Sequence, residues 1–157
     1  MSVTQGQLVE LSRAEAEDAF ALAALELQRA REQGRPGQEG FIDKYADFWL
    51  ADRQHRPAWV IKQFDGRPLG SLILDVRLSM PSPGLRTRAV AVIDTLFVNP
   101  AHRRQGNGEK LIRAALIWCT QAGVTAVHVA PTPSSSSLLA RLGFTPAGAE
   151  IAIVKLR

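Results

Sequence analysis

The sequence predicts an α/β (α+β) fold, a mixed and mostly antiparallel central sheet flanked by helices. Three observations lead there. Short β-branched apolar segments such as "AWVIKQF" and "AVAVIDTLFV" read as strands, and stretches with apolar residues three and four apart read as helices. Taken in turn they give the order β-α-α-β-β-β-α-β-α-β. No internal repeat and no long linker divides the 157 residues, so a single domain over residues 1–157 is expected, large enough to bury a core without a disulfide or structural metal.

"LVEL" at 8–11 reads as the first strand. Ser12 and Glu15 have the spacing of a capping box, which predicts a helix from about residue 13 to a C-terminal cap at Gly34. "RPGQEG" is then a loop. Phe41, Tyr45, Phe48 and Trp49 fall on one face of a second helix, an aromatic stripe that reads first as core packing and second as the wall of a substrate pocket. Asp65-Gly66 between "AWVIKQF" and "LGSLILDVRL" signals a hairpin. The third strand of this group, 88–98, is apolar on both faces and therefore central in its sheet. Leu111, Ile112, Ala115, Leu116 and Cys119 share one face of the next helix, which Gly123 closes. "TAVHVA" is a strand, Thr132-Pro133 opens a short helix through Leu142 with Gly143 as its cap, and "EIAIVKL" is the closing strand.

Composition narrows the function. The polar N-terminal stretch "MSVTQGQLVE" lacks the layout of a signal peptide, and no apolar run nears the roughly 20 residues of a membrane span, so a cytoplasmic, membrane-free protein is expected. The lone Cys119 cannot form an internal disulfide, and no metal-ligand spacing is present. The net charge of +4 is modest, and Arg103, Arg104, Lys110 and Arg113 gather around one short segment. No basic and aromatic residues interleave on a strand, which argues for a small anionic ligand over nucleic acid.

That segment, "NPAHRRQGNGEKLI", carries the chemistry. A helix N-terminus presents unpaired backbone N–H groups and a partial positive charge, which suits phosphate. Gly106 and Gly108 let the anion approach the backbone, while Arg103 and Arg104 add charge for its oxygens. A Rossmann fingerprint would need a third glycine at Leu111, and a P-loop would need Lys-Ser/Thr where Glu109-Lys110 stand. A pyrophosphate cradle of another kind is left.

Arg103-Arg104-Gln105-Gly106-Asn107-Gly108, the preceding "IDTLFVNPAHR" and the late "LLARLGF" together resemble the GNAT superfamily of acyl-coenzyme-A-dependent N-acetyltransferases. The resemblance covers nearly the whole chain and includes the element order. It implies acetyl-coenzyme A as cosubstrate, with its pyrophosphate held by Arg103, Arg104, Gln105, Gly106, Asn107 and Gly108. Its pantetheine arm would lie on Leu96, Phe97 and Val98. The partner it implies is a small-molecule or peptide amine that attacks the thioester directly in a ternary complex, and it leaves a homodimer open.

A free amine near pKa 10 is almost wholly protonated at neutral pH, so a base is useful. Asp94 is the candidate, because it interrupts an apolar strand two residues before Leu96, where many relatives place a glutamate in that role. Burial is expected to raise its pKa, and a structural carboxylate is the other reading. Relatives often carry a tyrosine that protonates the leaving thiolate. Leu139 occupies that place, which leaves the general acid unassigned among Tyr45, His128 and the serines 135–137. His55 and His102 read as surface loop residues. The missing tyrosine also keeps a second hypothesis open, a weak or inactive coenzyme A-binding regulatory module.

Overall fold

The computed structural model describes residues 8–146 and 152–156, so Glu150 and Ile151 of the expected closing strand lie outside the described residues. Strand β1, Val9–Arg13, runs two residues beyond "LVEL" because Ser12 and Arg13 pair with Val60 and Trp59. The Arg13 guanidinium also sits 5.2 and 5.1 Å from the ring centres of Trp59 and Trp118. Sheet pairing and this cation–π contact therefore outcompete the Ser12–Glu15 capping box. The helix starts later than expected: a 3₁₀ turn at Ala16–Asp18 precedes α1, Ala19–Glu32. The cap is Asp18, whose Oδ2 accepts from the Glu15 N–H at 2.8 Å while its other oxygen takes Lys62 Nζ.

Gly34, at φ +76°, stops α1 as expected. Helix α2, Phe41–Asp52, returns beside it. The hairpin of β2, Ala58–Gln63, and β3, Pro68–Leu78, turns through Asp65-Gly66. Strand β4, Ala89–Val98, leads through a short 3₁₀ turn into α3, Asn107–Gln121, and then into β5, Val124–Val129. Helix α4 spans only Ser136–Arg141: Thr132-Pro133 does not open it but forms a turn, with the Thr132 carbonyl accepting from the N–H of Ser135 and of Ser136 at 3.0 Å each. A two-residue strand β6, Thr145–Pro146, pairs with β7, Ala152–Lys155, and was invisible in the sequence because two residues show no period.

The seven strands stand in the order β1-β2-β3-β4-β5-β7-β6. β4 is central, and β4 with β5 is the one parallel pair among the described residues. Successive side chains alternate between faces. Ile73 thus meets Leu22, Leu25, Ala46 and Trp49 of α1 and α2, while Leu72 and Leu74 meet Leu111, Ile112, Ala115 and Cys119 of α3 on the other side. Each such buried aliphatic side chain contributes about 1.5–3 kcal/mol relative to exposure. Burial pushes the Cys119 thiol up to about 11, as befits a core residue with no chemistry.

Two irregularities in β4 make the site. Across β3, Ile73 faces Thr95 but Leu74 faces Ile93, so Asp94 is an extra residue without a cross-strand partner, a β-bulge. Bulges bend a strand and re-aim a side chain. On the other edge the pairing with β5 ends at Val92 and His128. Beyond that point the backbone of residues 94–98 has no neighbouring strand on the β5 side.

Candidate active site

Where β4 and β5 part, a cleft of about 670 Å³ opens. Its floor is Leu96, Phe97 and Val98 of β4, one end is the N-terminus of α3, and its far wall is α4 with Leu138 and Arg141. Of the nine residues expected to hold the cosubstrate, eight line it: Leu96, Phe97, Val98, Arg103, Arg104, Gly106, Asn107 and Gly108. Gln105 does not. The loop that delivers α3 is conformationally unusual. Arg104 has φ +60°, the one non-glycine residue in the left-handed region among those described, and Gly106 has φ +82°. A β-carbon at Gly106 would strain the backbone by about 1 kcal/mol or more, while one at Gly108 would be unstrained and would point across the cleft, 3.6 Å from Leu138 Cδ2.

The side chains of this loop divide into braces and open charges. Arg103 grips the Glu32 carboxylate with both terminal nitrogens, at 2.7 and 2.6 Å, donates its Nε to the Val98 carbonyl at 2.9 Å, and stands 5.7 Å over the Phe97 ring. Its hydrogen bond holds the Glu32 carboxyl below the usual range. Arg103 is thus spent on tying the end of α1 to the loop, rather than standing open for phosphate as its motif position suggested. Asn107 likewise turns its amide inward, donating to the His102 carbonyl at 3.0 Å, so that only its backbone faces the cleft. Arg104 and Arg141 have no ion pair among the described residues. Arg141 stands within "LLARLGF" but was given no role from the sequence, because it reaches the cleft only through the placement of α4.

No side chain caps α3, and its first N–H groups have no intrahelical acceptor. Together with two open guanidiniums and an unpaired strand edge, this suits a ligand with an anionic end and an amide-bearing arm, because extended amides add to a sheet edge as another strand would.

Beside α2, on the face that carries Ile73, lies a cavity of about 90 Å³ walled by Tyr45, Phe48 and Trp49, Arg56, Ile73 and Asp94. The bulge delivers Asp94 there. Contrary to expectation its side chain is exposed, because the extra residue turns it out of the ladder rather than into the core. The Thr95 hydroxyl approaches it at 3.5 Å. The aromatic stripe serves both expected roles: Trp49 is core, its Nε1 donating to the Arg56 carbonyl at 2.9 Å, whereas Tyr45 and the exposed Phe48 face the cavity. Burial raises the Tyr45 phenol well above its ordinary value, and the carboxylates of Glu26 and Asp94 add to that.

The general-acid candidates sort clearly. Leu139 is 2% exposed within the α3-side core, and the neighbouring residue that lines the cleft is Leu138, so the side chain at 139 faces the core. Ser135 lines the cleft, but its hydroxyl accepts from the Thr132 N–H at 2.9 Å and donates to the Thr132 carbonyl. His128 is half-buried between Val92 and Ile153 and lines neither cavity. His55 is a surface residue, bonded to Asp52 at 2.9 Å. His102 departs from its expected surface role: it lines the cleft with Nδ1 buried and without a hydrogen-bond partner.

The sequence model of the acetyltransferase (GNAT) family matches residues 21–144. The chain belongs to the GNAT acetyltransferase family. It is therefore an acyltransferase, and acetyl-coenzyme A is the cosubstrate such enzymes use. No curated protein matches the chain. Among solved structures, a Trypanosoma brucei acetyltransferase superposes with a TM-score of 0.72 at 25% identity, covering 96% of this chain and 99% of its own. A GCN5-related N-acetyltransferase from Ralstonia eutropha gives 0.69 at 25% identity, over 90% and 95%. A GNAT acetyltransferase from Brucella melitensis, crystallised with acetyl-coenzyme A, shares the fold with a TM-score of 0.72 at 18% identity, over 96% and 90%. No helix among the described residues of this GNAT acetyltransferase is long and apolar enough to cross a membrane.

Proposed function

We propose that this enzyme transfers an acetyl group from acetyl-coenzyme A to a primary amine by direct attack in a ternary complex, with Asp94 as the base. One observation carries the reading: a single strand, β4, floors the wide cleft with Leu96–Val98 and presents Asp94 to the small cavity two residues earlier, about 7 Å along the strand. Two substrates entering from the two cavities would meet there. The open N–H groups of α3 with Arg104 and Arg141 would hold the pyrophosphate, and the unpaired edge of residues 94–98 would hold the pantetheine amides. The cosubstrate supplies the activated acetyl thioester.

The amine arrives as an ammonium, and Asp94, exposed and without an ion pair among the described residues, takes its proton directly or through water. The free amine attacks the thioester carbonyl, whose oxygen a backbone N–H of the open β4 edge polarises. A thiol of pKa near 8.5 is a tolerable leaving group as thiolate, so no dedicated acid is required. Release of free thiol from acetyl-coenzyme A, followed with a panel of primary amines and with mass detection of the acetylated product, tests the reading. Amine-dependent thiol release is expected. Binding of acetyl-coenzyme A with no amine-dependent release would instead make the chain a coenzyme A-binding module.

A further inference from the structure

The charge around the small cavity is unbalanced, and the imbalance bears on which amine enters. The inference rests on the acetyl-transfer reading and deepens it. The neighbouring cations are already neutralised: Arg29 Nε holds Glu26 at 2.8 Å, Arg56 Nε holds Asp52 at 2.9 Å, and His55 holds the same Asp52. Asp75, on the same sheet face as Ile73, is matched by Arg77 at 2.8 Å. Asp94 alone among these carboxylates has no ion-pair partner among the described residues. The rest of the wall is aromatic and aliphatic.

We propose that the acceptor is a small primary amine bearing a single positive charge on an apolar or aromatic stem and no carboxylate. Its ammonium is drawn to the unmatched Asp94 and to the Tyr45 ring, since both carboxylate and aromatic quadrupole attract a cation, whereas the Phe48 ring already carries the Arg56 guanidinium 5.3 Å from its centre and offers apolar surface only. A volume of about 90 Å³ admits the ammonium end and a few carbons. The stem then continues outward over Phe48, which is 61% exposed and supplies apolar surface at the mouth. An α-amino acid is disfavoured: its carboxylate would meet the field of Asp94, Glu26 and Asp52, and the two guanidiniums that might receive it are engaged. Burial raises the Tyr45 phenol, the Glu26 and Asp94 carboxylates raise it further, and Arg29 and Arg56 act in the opposite direction.

Matched amine pairs test this. With acetyl-coenzyme A saturating, kcat/KM is measured by thiol release for phenethylamine against phenylalanine, pentylamine against norleucine, and putrescine and a short peptide N-terminus beside them. The monoamines are expected to exceed their amino-acid counterparts at least tenfold and to exceed putrescine. Phe48→Ser, at an exposed position that does not threaten folding, is expected to raise KM for phenethylamine several-fold with little change in kcat. Amino acids, putrescine or the peptide turned over as well as the monoamines would overturn the proposal while leaving acetyl transfer intact. Silence across the whole panel would instead remove the acetyl-transfer reading on which the proposal stands.

Discussion

The wide cleft offers backbone N–H groups, Arg104 and Arg141 to a ligand, whereas the small cavity beside α2 offers the Asp94 carboxylate, three aromatic rings and Arg56, which is paired with Asp52. In the proposed reaction the first would receive an anion and the second a cation, and both adjoin the same strand. They also differ in how the parts are fixed. The cleft loop is braced by side chains whose charges are used internally, Arg103 on Glu32 and Asn107 on the His102 carbonyl, so that main-chain groups are left to bind. In the small cavity the binding group is a side chain, and it is set by a backbone irregularity, the bulge at Asp94. A motif in sequence is thus a record of loop geometry in one region, while the other region carries no motif at all.

Three variants sharpen this contrast, in decreasing order of expected effect. Gly108→Val leaves a helix-compatible backbone but places a branched side chain in the cleft. Acetyl-coenzyme A at a hundred times its Kd should stabilise the wild type by about 2.7 kcal/mol, read as a rise in Tm, and the variant should lose most of that rise while remaining folded. An undiminished rise would place the cosubstrate elsewhere. Leu139→Tyr should lower stability by about 1–3 kcal/mol in denaturant unfolding, because the larger ring is forced into a filled core, and it should not speed turnover. Faster turnover would mean that this position does reach the sulfur. The smallest effect is the coupling of Arg103 and Glu32. Arg103→Gln and Glu32→Gln should each weaken acetyl-coenzyme A binding, and the double variant should be no worse than the more severe single one. If Arg103 contacts phosphate instead, Glu32→Gln should tighten binding by releasing it.

Much of this was legible in the chain. The glycine-flanked start of α3, the hairpin at Asp65-Gly66 and the glycine stops at 34, 123 and 143 follow from local rules, since turns and helix ends are decided by a few neighbouring residues, and the central position of β4 follows from its two apolar faces. The start of α1 was not, because Ser12 and Arg13 are claimed by a strand some 47 residues away and by Trp118 still further on, and no local signal competes with that. The exposure of Asp94 was hidden for a related reason: its position in an apolar strand reads as burial, and only the register against β3 reveals the extra residue. The roles of Glu32, His102 and Arg141 depend on how α1 and α4 meet the loop, which spacing along one segment cannot carry.

The central claim is that β4 joins the two cavities and that Asp94 acts at the junction. The pH–rate profile of Asp94→Asn beside the wild type, with a common amine acceptor, tests it most directly. At neutral pH the variant should be slower by roughly ten- to a thousandfold, and the gap should narrow as pH rises toward the amine's own pKa near 10, where the nucleophile forms unaided. A variant with the wild-type rate and the wild-type profile across that range would contradict the account, leaving Asp94 a structural residue of the bulge.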